Sequence, residues 1–219
     1  MQTKIHGSPS FAYLEVELAP GESIVAESDA MSSMAADLDL QANFNGGFFK
    51  GLLRKFLGGE SLFVTTFTNR TDASRRLTLA QGTPGDMREV RLNGGSIGMQ
   101  PGAYVASTPG IIVGLQWAGF RSLIAREGLF RLLISGTGSV WYGAYGGLLE
   151  KEVRGEYLVD TAHLVSYDPA LRIRLQLAGG LLSSLMGGEG LVMRIEGNGK
   201  IVIQTRSLTG VVGWLNSKI

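Results

Sequence analysis

The sequence predicts an all-β fold: a pseudo-threefold β-barrel or prism of three repeated short-stranded units, double-stranded β-helix-like, with a few short helices. Three observations carry that expectation. A phrase recurs three times, as Gly58-Gly59-Glu60-Ser61-Leu62-Phe63, Arg126-Glu127-Gly128-Leu129-Phe130 and Gly187-Gly188-Glu189-Gly190-Leu191-Val192. The three glutamates stand 67 and 62 positions apart, and a turn signal follows each at a matching distance, nine residues on at Asn69 and Gly136 and eight at Gly197. The 32 glycines, against only six prolines, are about twice the ordinary usage of ~7% and punctuate strand-like runs rather than forming a linker. Units of about 60 to 80 residues bury too little surface to stand alone, so all three are expected to share one core in a single domain, 1–219, divided at about 1–83, 84–148 and 149–219.

In chain order, residues 11–18 alternate as a strand with one wet face, Pro20-Gly21 supplies a turn, and Ser23 to Ala26 opens the next strand. From Met31 to Asn43 the polarity is mixed, which fits a β-hairpin or an irregular arm. Between Gly46 and Gly59 the residues Phe48, Phe49, Leu52, Leu53, Phe56 and Leu57 recur at helical spacing with Lys50, Arg54 and Lys55 toward the other face, predicting a short amphipathic helix over 48–57. A strand over 60–69 closes at the turn-prone Asn69-Arg70-Thr71-Asp72, and Arg76 to Ala80 is expected to return as its hairpin partner.

In the second unit Met87 to Leu92 and Ser96 to Met99 read as short strands around Asn93-Gly94-Gly95. After a strand at Gly110 to Gln116 come an apolar stretch at Trp117 to Arg126 and a strand at Glu127 to Ile134, which turns at Ser135-Gly136-Thr137-Gly138. In the third, strands at Gly155 to Asp160 and Leu171 to Leu177 precede the apolar stretch Ala178 to Gly187. Another at Glu189 to Ile195 turns at Gly197-Asn198-Gly199 into Ile201 to Thr205. The apolar tail from Leu208 to Ile219 is compatible with a terminal helix or a strand.

Apolar residues make up 44% of the chain and charged residues 18%, and the mean hydropathy is +0.14, so disorder is excluded and the charge-poor surface points to subunit contacts. A net charge of +1 disfavours bulk nucleic acid. The absence of cysteine excludes disulfides, thiolate metal sites and cysteine nucleophiles together. No run reaches the ~18 apolar residues of a membrane span, and Met1 to Leu18 lacks a signal-peptide core, so a soluble cytoplasmic protein is expected.

The combination of 58–63, Pro84-Gly85-Asp86, Glu127-Gly-Leu-Phe130, Val159-Asp-Thr-Ala-His-Leu-Val165 and 187–192 with Gln204-Thr205-Arg206 resembles the Aim24 family over nearly the whole chain, from about Phe11 to Arg206. The resemblance implies a fold like that of the tryptophan RNA-binding attenuation protein, TRAP-like, all-β and prone to symmetric assembly. The family's bacterial members have no settled activity. Its mitochondrial members look like inner-membrane-associated factors that support respiratory complexes. It brings no agreed catalytic residues to place on this chain.

The residues themselves offer little chemistry. Glu60, Glu127 and Glu189 could converge on an axis to hold a cation, but a glutamate between glycine and a strand start is expected instead to accept backbone N–H bonds from its turn. His163 lies near Asp160 and Asp168 in sequence, yet a strand would place it with Thr161 and opposite Asp160, so a structural histidine is preferred; His6 falls in an expectedly loose N-terminus. Gly136-Thr-Gly138-Ser and Gly199-Lys200 both miss the phosphate-loop pattern. Arg75, Arg76, Arg88, Arg91, Arg172 and Arg174 are interspersed with acids and lack stacking aromatics, which argues against nucleic acid. No catalytic residue, cofactor or metal is expected.

The amphipathic stretch holding Phe48, Phe49, Lys50, Leu52, Leu53, Arg54, Lys55 and Phe56 has two uses: it packs against the barrel or a subunit interface, or it docks on a partner or an anionic membrane surface. The expected function is a non-enzymatic, self-assembling β scaffold, a homotrimer or higher ring, cytoplasmic and peripheral to the inner face of the membrane. Its alternative is a small-molecule or RNA-binding module with Trp117, Trp141 or Tyr142 lining a pocket between repeats.

Overall fold

The structure is a computed structural model that describes residues 1–44, 63–117, 130–177, 191–216 and 218. Strands dominate it, in the order β1 (Gln2–His6), β2 (Tyr13–Leu18), β3 (Ser23–Glu27), β4 (Met31–Met34), β5 (Asp39–Phe44), β6 (Phe63–Thr68), β7 (Arg75–Ala80), β8 (Met87–Met99), β9 (Tyr104–Ser107), β10 (Ile111–Trp117), β11 (Phe130–Gly143), β12 (Leu148–Asp160), β13 (Leu164–Tyr167), β14 (Arg172–Leu177) and β15 (Leu191–Gln204). A 3-10 turn, Thr161–His163, precedes β13, and a helix, α1 (Leu208–Asn216), ends the chain.

One pairing pattern is repeated along the chain. A long strand, a short one, one of middle length and a second long one follow each other as β8, β9, β10, β11 and again as β12, β13, β14, β15. The two long strands pair with each other over their whole length, β8 with β11 and β12 with β15. The other edge of the second long strand is divided: its first half takes the middle strand (β10 or β14) and its second half the short strand (β9 or β13). In the first third of the chain the same pattern is cut in two. Pro20-Gly21 and the segment 69–74 interrupt both long strands at one level, leaving β3 with β6 and β2 with β7, while β5 joins β6 and β4 joins β7.

The glycine-rich signals that read as hairpin turns at 93–95, 135–138 and 197–199 are bends inside continuous strands of 13 or 14 residues. Glycines on the two paired strands face one another: Gly155 lies opposite Gly197, with φ of +91° and +124°, and the register of β8 and β11 shifts between Ser135 and Thr137 beside Gly136. A coiled two-stranded ribbon needs such residues on both strands at the same level, and a local turn signal cannot be told from it in sequence. Likewise Arg75–Ala80 does not return on β6 but pairs with β2 and β4, and β4 and β5 are not a hairpin with each other. His6 is no loose end: β1 pairs with β2, and the His6 ring stacks on Tyr13 at 5.1 Å.

Neighbouring repeats are joined by equivalent links. The short strand of one pairs with the end of the preceding repeat's first long strand: β9 with β3, through Ala106 and Ala26, and β13 with β8, through Tyr167 and Gly98. Near the strand starts, Ala12 N donates to Gly85 O at 2.8 Å and Asp86 N to Gly146 O at 2.8 Å. The corresponding link from the third repeat back to the first is not made among the described residues: Gly147 N donates instead to Thr205 Oγ1, and β4 pairs only with β7. The described strands form two open sheets, one of four strands (β1-β2-β7-β4) and one of eleven running from β12 to β5, and these are not closed into the expected barrel.

Alternation builds the core. Along β2, Leu14, Val16 and Leu18 are buried while Glu15 and Glu17 face outward, and they pack with Leu77, Leu79, Ile24 and Trp141. A second cluster gathers Met99, Tyr104, Leu132, Ile134 and Val140, and a third Val153, Met193, Ile195 and Ile201. Burial raises the pKa of Tyr104, whose hydroxyl donates to Val25 O and lies 2.9 Å from Ser107 Oγ, so the β9–β3 link is tied by side chain as well as backbone.

The cut in the first repeat is held by a fully buried Asn69. Its Nδ2 donates to Leu18 O and Ala73 O, both at 2.8 Å, its Oδ1 accepts from Thr71, and its backbone exchanges bonds with Gly21 and Glu22. Asn69→Ala removes the donor to the buried Leu18 carbonyl and the acceptor of Thr71, while Ala73 O keeps its bond from Thr71 Oγ1, and is expected to lower unfolding free energy by about 1–3 kcal/mol. Urea denaturation followed by circular dichroism checks this; a loss below about 0.5 kcal/mol would show that Asn69 is dispensable.

Candidate functional site

Three places on the molecule merit examination: the groove beside His163, the mouths of the three middle-strand hairpins, and the outer edge of β12. In the groove, the 3-10 turn is set by Asp160, whose Oδ1 accepts from Ala162 N at 2.8 Å, and by Gln204, whose Nε2 donates to Ala162 O at 2.9 Å. His163 Nδ1 lies 2.7 Å from Gln204 O, so Nδ1 carries the proton and Nε2 is left as the acceptor. Against it stands α1, capped at its start by Ser207 Oγ, which accepts from Gly210 N. His163, Thr205, Arg206, Ser207, Val211 and Trp214 line an open groove of about 290 Å³.

This groove does not assemble a reaction. Asp160 is occupied as the cap of the 3-10 turn and Asp168 bonds Ala170 N at 2.9 Å, so neither acid orients His163 toward a nucleophile. His163 sits on a 3-10 turn rather than the strand expected from sequence, and its structural engagement with Gln204 agrees with the preferred expectation. Among the described residues no group of three metal-ligating side chains comes together. Of the aromatic residues expected to line a pocket, Trp141 and Tyr142 are buried in the core, 2% and 5% exposed, where a concave site would need them at its wall. Five of the six arginines named from sequence have protein partners: Arg75 to Asp37, Arg76 to Glu17, Arg91 to Glu89 and Arg174 to Glu196 by ion pairs, and Arg88 to the Leu148 carbonyl.

The hairpins β5–β6, β10–β11 and β14–β15 open at Phe44 opposite Phe63, Trp117 opposite Phe130 and Leu177 opposite Leu191. Each is joined by an apolar, glycine-containing segment: 45–62, 118–129 and 178–190. Phe48, Phe49, Lys50, Leu52, Leu53, Arg54, Lys55 and Phe56, and the three glutamates Glu60, Glu127 and Glu189, all belong to these segments and lie outside the described residues. What the described strands add is that the three segments occupy the same place in three equivalent hairpins.

Sequence reasoning missed the edge strand β12, because Gly155 looked like a strand start and is in fact its middle. Among the described residues β12 pairs only with β15. It carries Glu150, Lys151, Glu152, Arg154 and Glu156, alternating in sign, together with three exposed apolar side chains, Leu149, Tyr157 and Leu158. Lys200 bonds Glu150 at 2.8 Å and holds its carboxyl below the usual range, and Glu150 in turn raises Lys200; Arg194 pairs with Glu156 at 2.7 Å. The signal that could have located this strand is the sign alternation of 150–156. Among the described residues no helix is long and apolar enough to cross a membrane.

The Glu150–Lys200 pair has a definite pH signature. A depressed carboxyl pKa contributes stability above the ordinary carboxylate range and loses it as pH falls through the lowered value. Lys200→Ala is therefore expected to move the Glu150 midpoint upward, toward the ordinary range, in a carbon-13 NMR titration; an unmoved midpoint would remove the pair from the account.

Three comparisons bear on this chain. A family model described as "Mitochondrial biogenesis AIM24" matches residues 3–206. An uncharacterized protein of Streptococcus pyogenes serotype M6 is 25% identical over 224 residues, which cover 98% of this chain and 90% of that protein. An X-ray crystal structure of a Streptococcus pyogenes protein, also 25% identical, matches with a TM-score of 0.80 over 100% of this chain and 99% of its own.

Proposed function

The chain belongs to the AIM24 family, and on that premise we propose that it is a non-enzymatic, self-assembling β scaffold in the cytoplasm that binds a partner or organises a membrane-proximal complex. The observation that carries this is the open-edged eleven-stranded sheet, in which the 13-residue β12 has a described strand on one edge alone and, on the other, only its Leu148 carbonyl taken, by Arg88. Isolated domains cover, shorten or bend such an edge; an assembling one uses it. The His163 groove supports the non-enzymatic part, since its acids are engaged in capping and its histidine in a backbone bond.

The membrane-proximal part rests on sequence placed by the fold. Three equivalent hairpins each carry an apolar connecting segment, and the first of these adds Lys50, Arg54 and Lys55 to its apolar residues, the composition of a segment that lies on an anionic surface. An assembled scaffold multiplies such weak contacts, because each further copy binds at high effective concentration.

Two measurements test the proposal. Light scattering of the full chain at micromolar concentration is expected to give a mass at least twice that of one chain; a strict monomer would overturn the scaffold. Flotation with vesicles containing anionic lipid is expected to carry wild type upward, with a loss of roughly tenfold when Lys50, Arg54 and Lys55 are all changed to Glu. Wild type that never floats would remove the membrane from the proposal and leave the protein partner.

A further inference from the structure

We infer that β12 pairs antiparallel with β12 of a second copy of this chain about a two-fold axis through Val153. This rests on the scaffold reading above and assigns its contact. The backbone geometry comes first. Thr205 N donates to Gly147 O at 3.0 Å across the β12–β15 ladder, so odd-numbered residues on β12 turn their N–H and C=O toward β15. The even-numbered ones, Leu148 to Leu158, turn theirs to the open edge. Arg88 Nη2 confirms the direction by reaching the Leu148 carbonyl from outside, at 2.7 Å.

An antiparallel self-pairing must join even residues to even residues, which leaves only registers two positions apart in their sum, and the side chains choose among them. Centred on Val153, the pairing sets Glu152 against Arg154 of the partner and Arg154 against Glu152, two opposite-charge pairs made by one symmetry operation. It also sets Leu149, 46% exposed, against Tyr157, 38% exposed, and Leu148 against Leu158, 55% exposed. Lys151 falls opposite Gly155, which has no side chain to meet. Glu150 and Glu156 face each other, and each already has its own cation, Lys200 and Arg194. Centred one residue further, on Arg154, the pairing would put Arg154 on Arg154 and Glu152 on Glu156, like charges throughout. Centred one residue earlier, on Glu152, it would still set Glu150 against Arg154 but would put Glu152 on Glu152, Leu149 on Gly155 and Leu148 on Glu156, so charge excludes one neighbouring register and the apolar pairs exclude the other.

The contact is isologous and closes at two copies, so the assembly it builds is a dimer or an even multiple, which differs from a homotrimer and is compatible with a higher ring of even number. Because the chain contains no cysteine, the register can be read by cross-linking the full-length protein. A Leu149→Cys/Tyr157→Cys variant, both positions exposed, is expected to oxidise to a covalent dimer. A Lys151→Cys/Tyr157→Cys variant, which matches only the register centred on Arg154, is expected to remain uncross-linked. In sedimentation equilibrium Glu152→Arg is expected to weaken dimerisation by about tenfold or more, and Glu152→Arg/Arg154→Glu, with the charges exchanged, to restore it. Assembly that persists through Glu152→Arg with no cross-link at 149 and 157 would overturn this contact and leave the scaffold reading standing. A chain that is monomeric throughout would overturn both.

Discussion

Everything in this molecule follows from how long antiparallel ribbons satisfy both edges of their strands. In β8–β11 and β12–β15, each second long strand spends one edge on its long partner and splits the other between a middle and a short strand. A strand of 14 residues can serve two neighbours in this way only if it coils between them, since the two halves must present their edges in different directions. The facing glycines at the centre of each ribbon allow that coil. Gly155 and Gly197, opposite one another and both at positive φ, mark the place where the ribbon turns from the middle strand's side to the short strand's.

From that constraint the linkage of the repeats follows. The short strand, bound on one side to its own ribbon, has a second edge free, and it gives that edge to the preceding ribbon. Gly98 permits one of these links because the Tyr167 ring lies over it so closely that an added Cβ would fall within 2.2 Å of the ring. Tyr104, hydrogen-bonded to Val25, ties the other. The first repeat cannot take part as donor in the same way. Its ribbon is severed at Pro20-Gly21 and at Asn69, and β4 goes with the severed half into the four-stranded sheet. Among the described residues β12 is left at the margin of the larger sheet, paired with β15 alone.

Several polar side chains among the described residues are engaged in making the chain turn. Asp160 and Asp168 cap, Asn69 bridges a strand break, Gln204 fastens the 3-10 turn, and His163 rests on its carbonyl. The two best aromatic candidates, Trp141 and Tyr142, point to opposite faces of β11 and each face is packed there, Trp141 in the first core cluster and Tyr142 in the second.

The sequence by itself determined that the protein is all-β, that alternating runs such as Tyr13–Leu18 carry one buried face, and that a unit is written three times around equivalent apolar connections. These are properties of local periodicity, and periodicity is local information. It also held the reason for chemical quiet, in the lack of cysteine and the scattering of its acids and histidines. Only the tertiary structure decided whether a glycine pair ended a strand or bent it. Gly197-Asn198-Gly199 has the composition of a hairpin turn, and it becomes a bend because Gly155, more than forty positions earlier, lies opposite it and coils with it. Closure was likewise beyond the sequence: three repeats predict a ring, but whether the third meets the first depends on a β4–β12 pairing between distant strands, which the described residues do not make. The edge that results, β12, was invisible for the same reason, since an unpaired edge is defined by what the rest of the chain fails to cover.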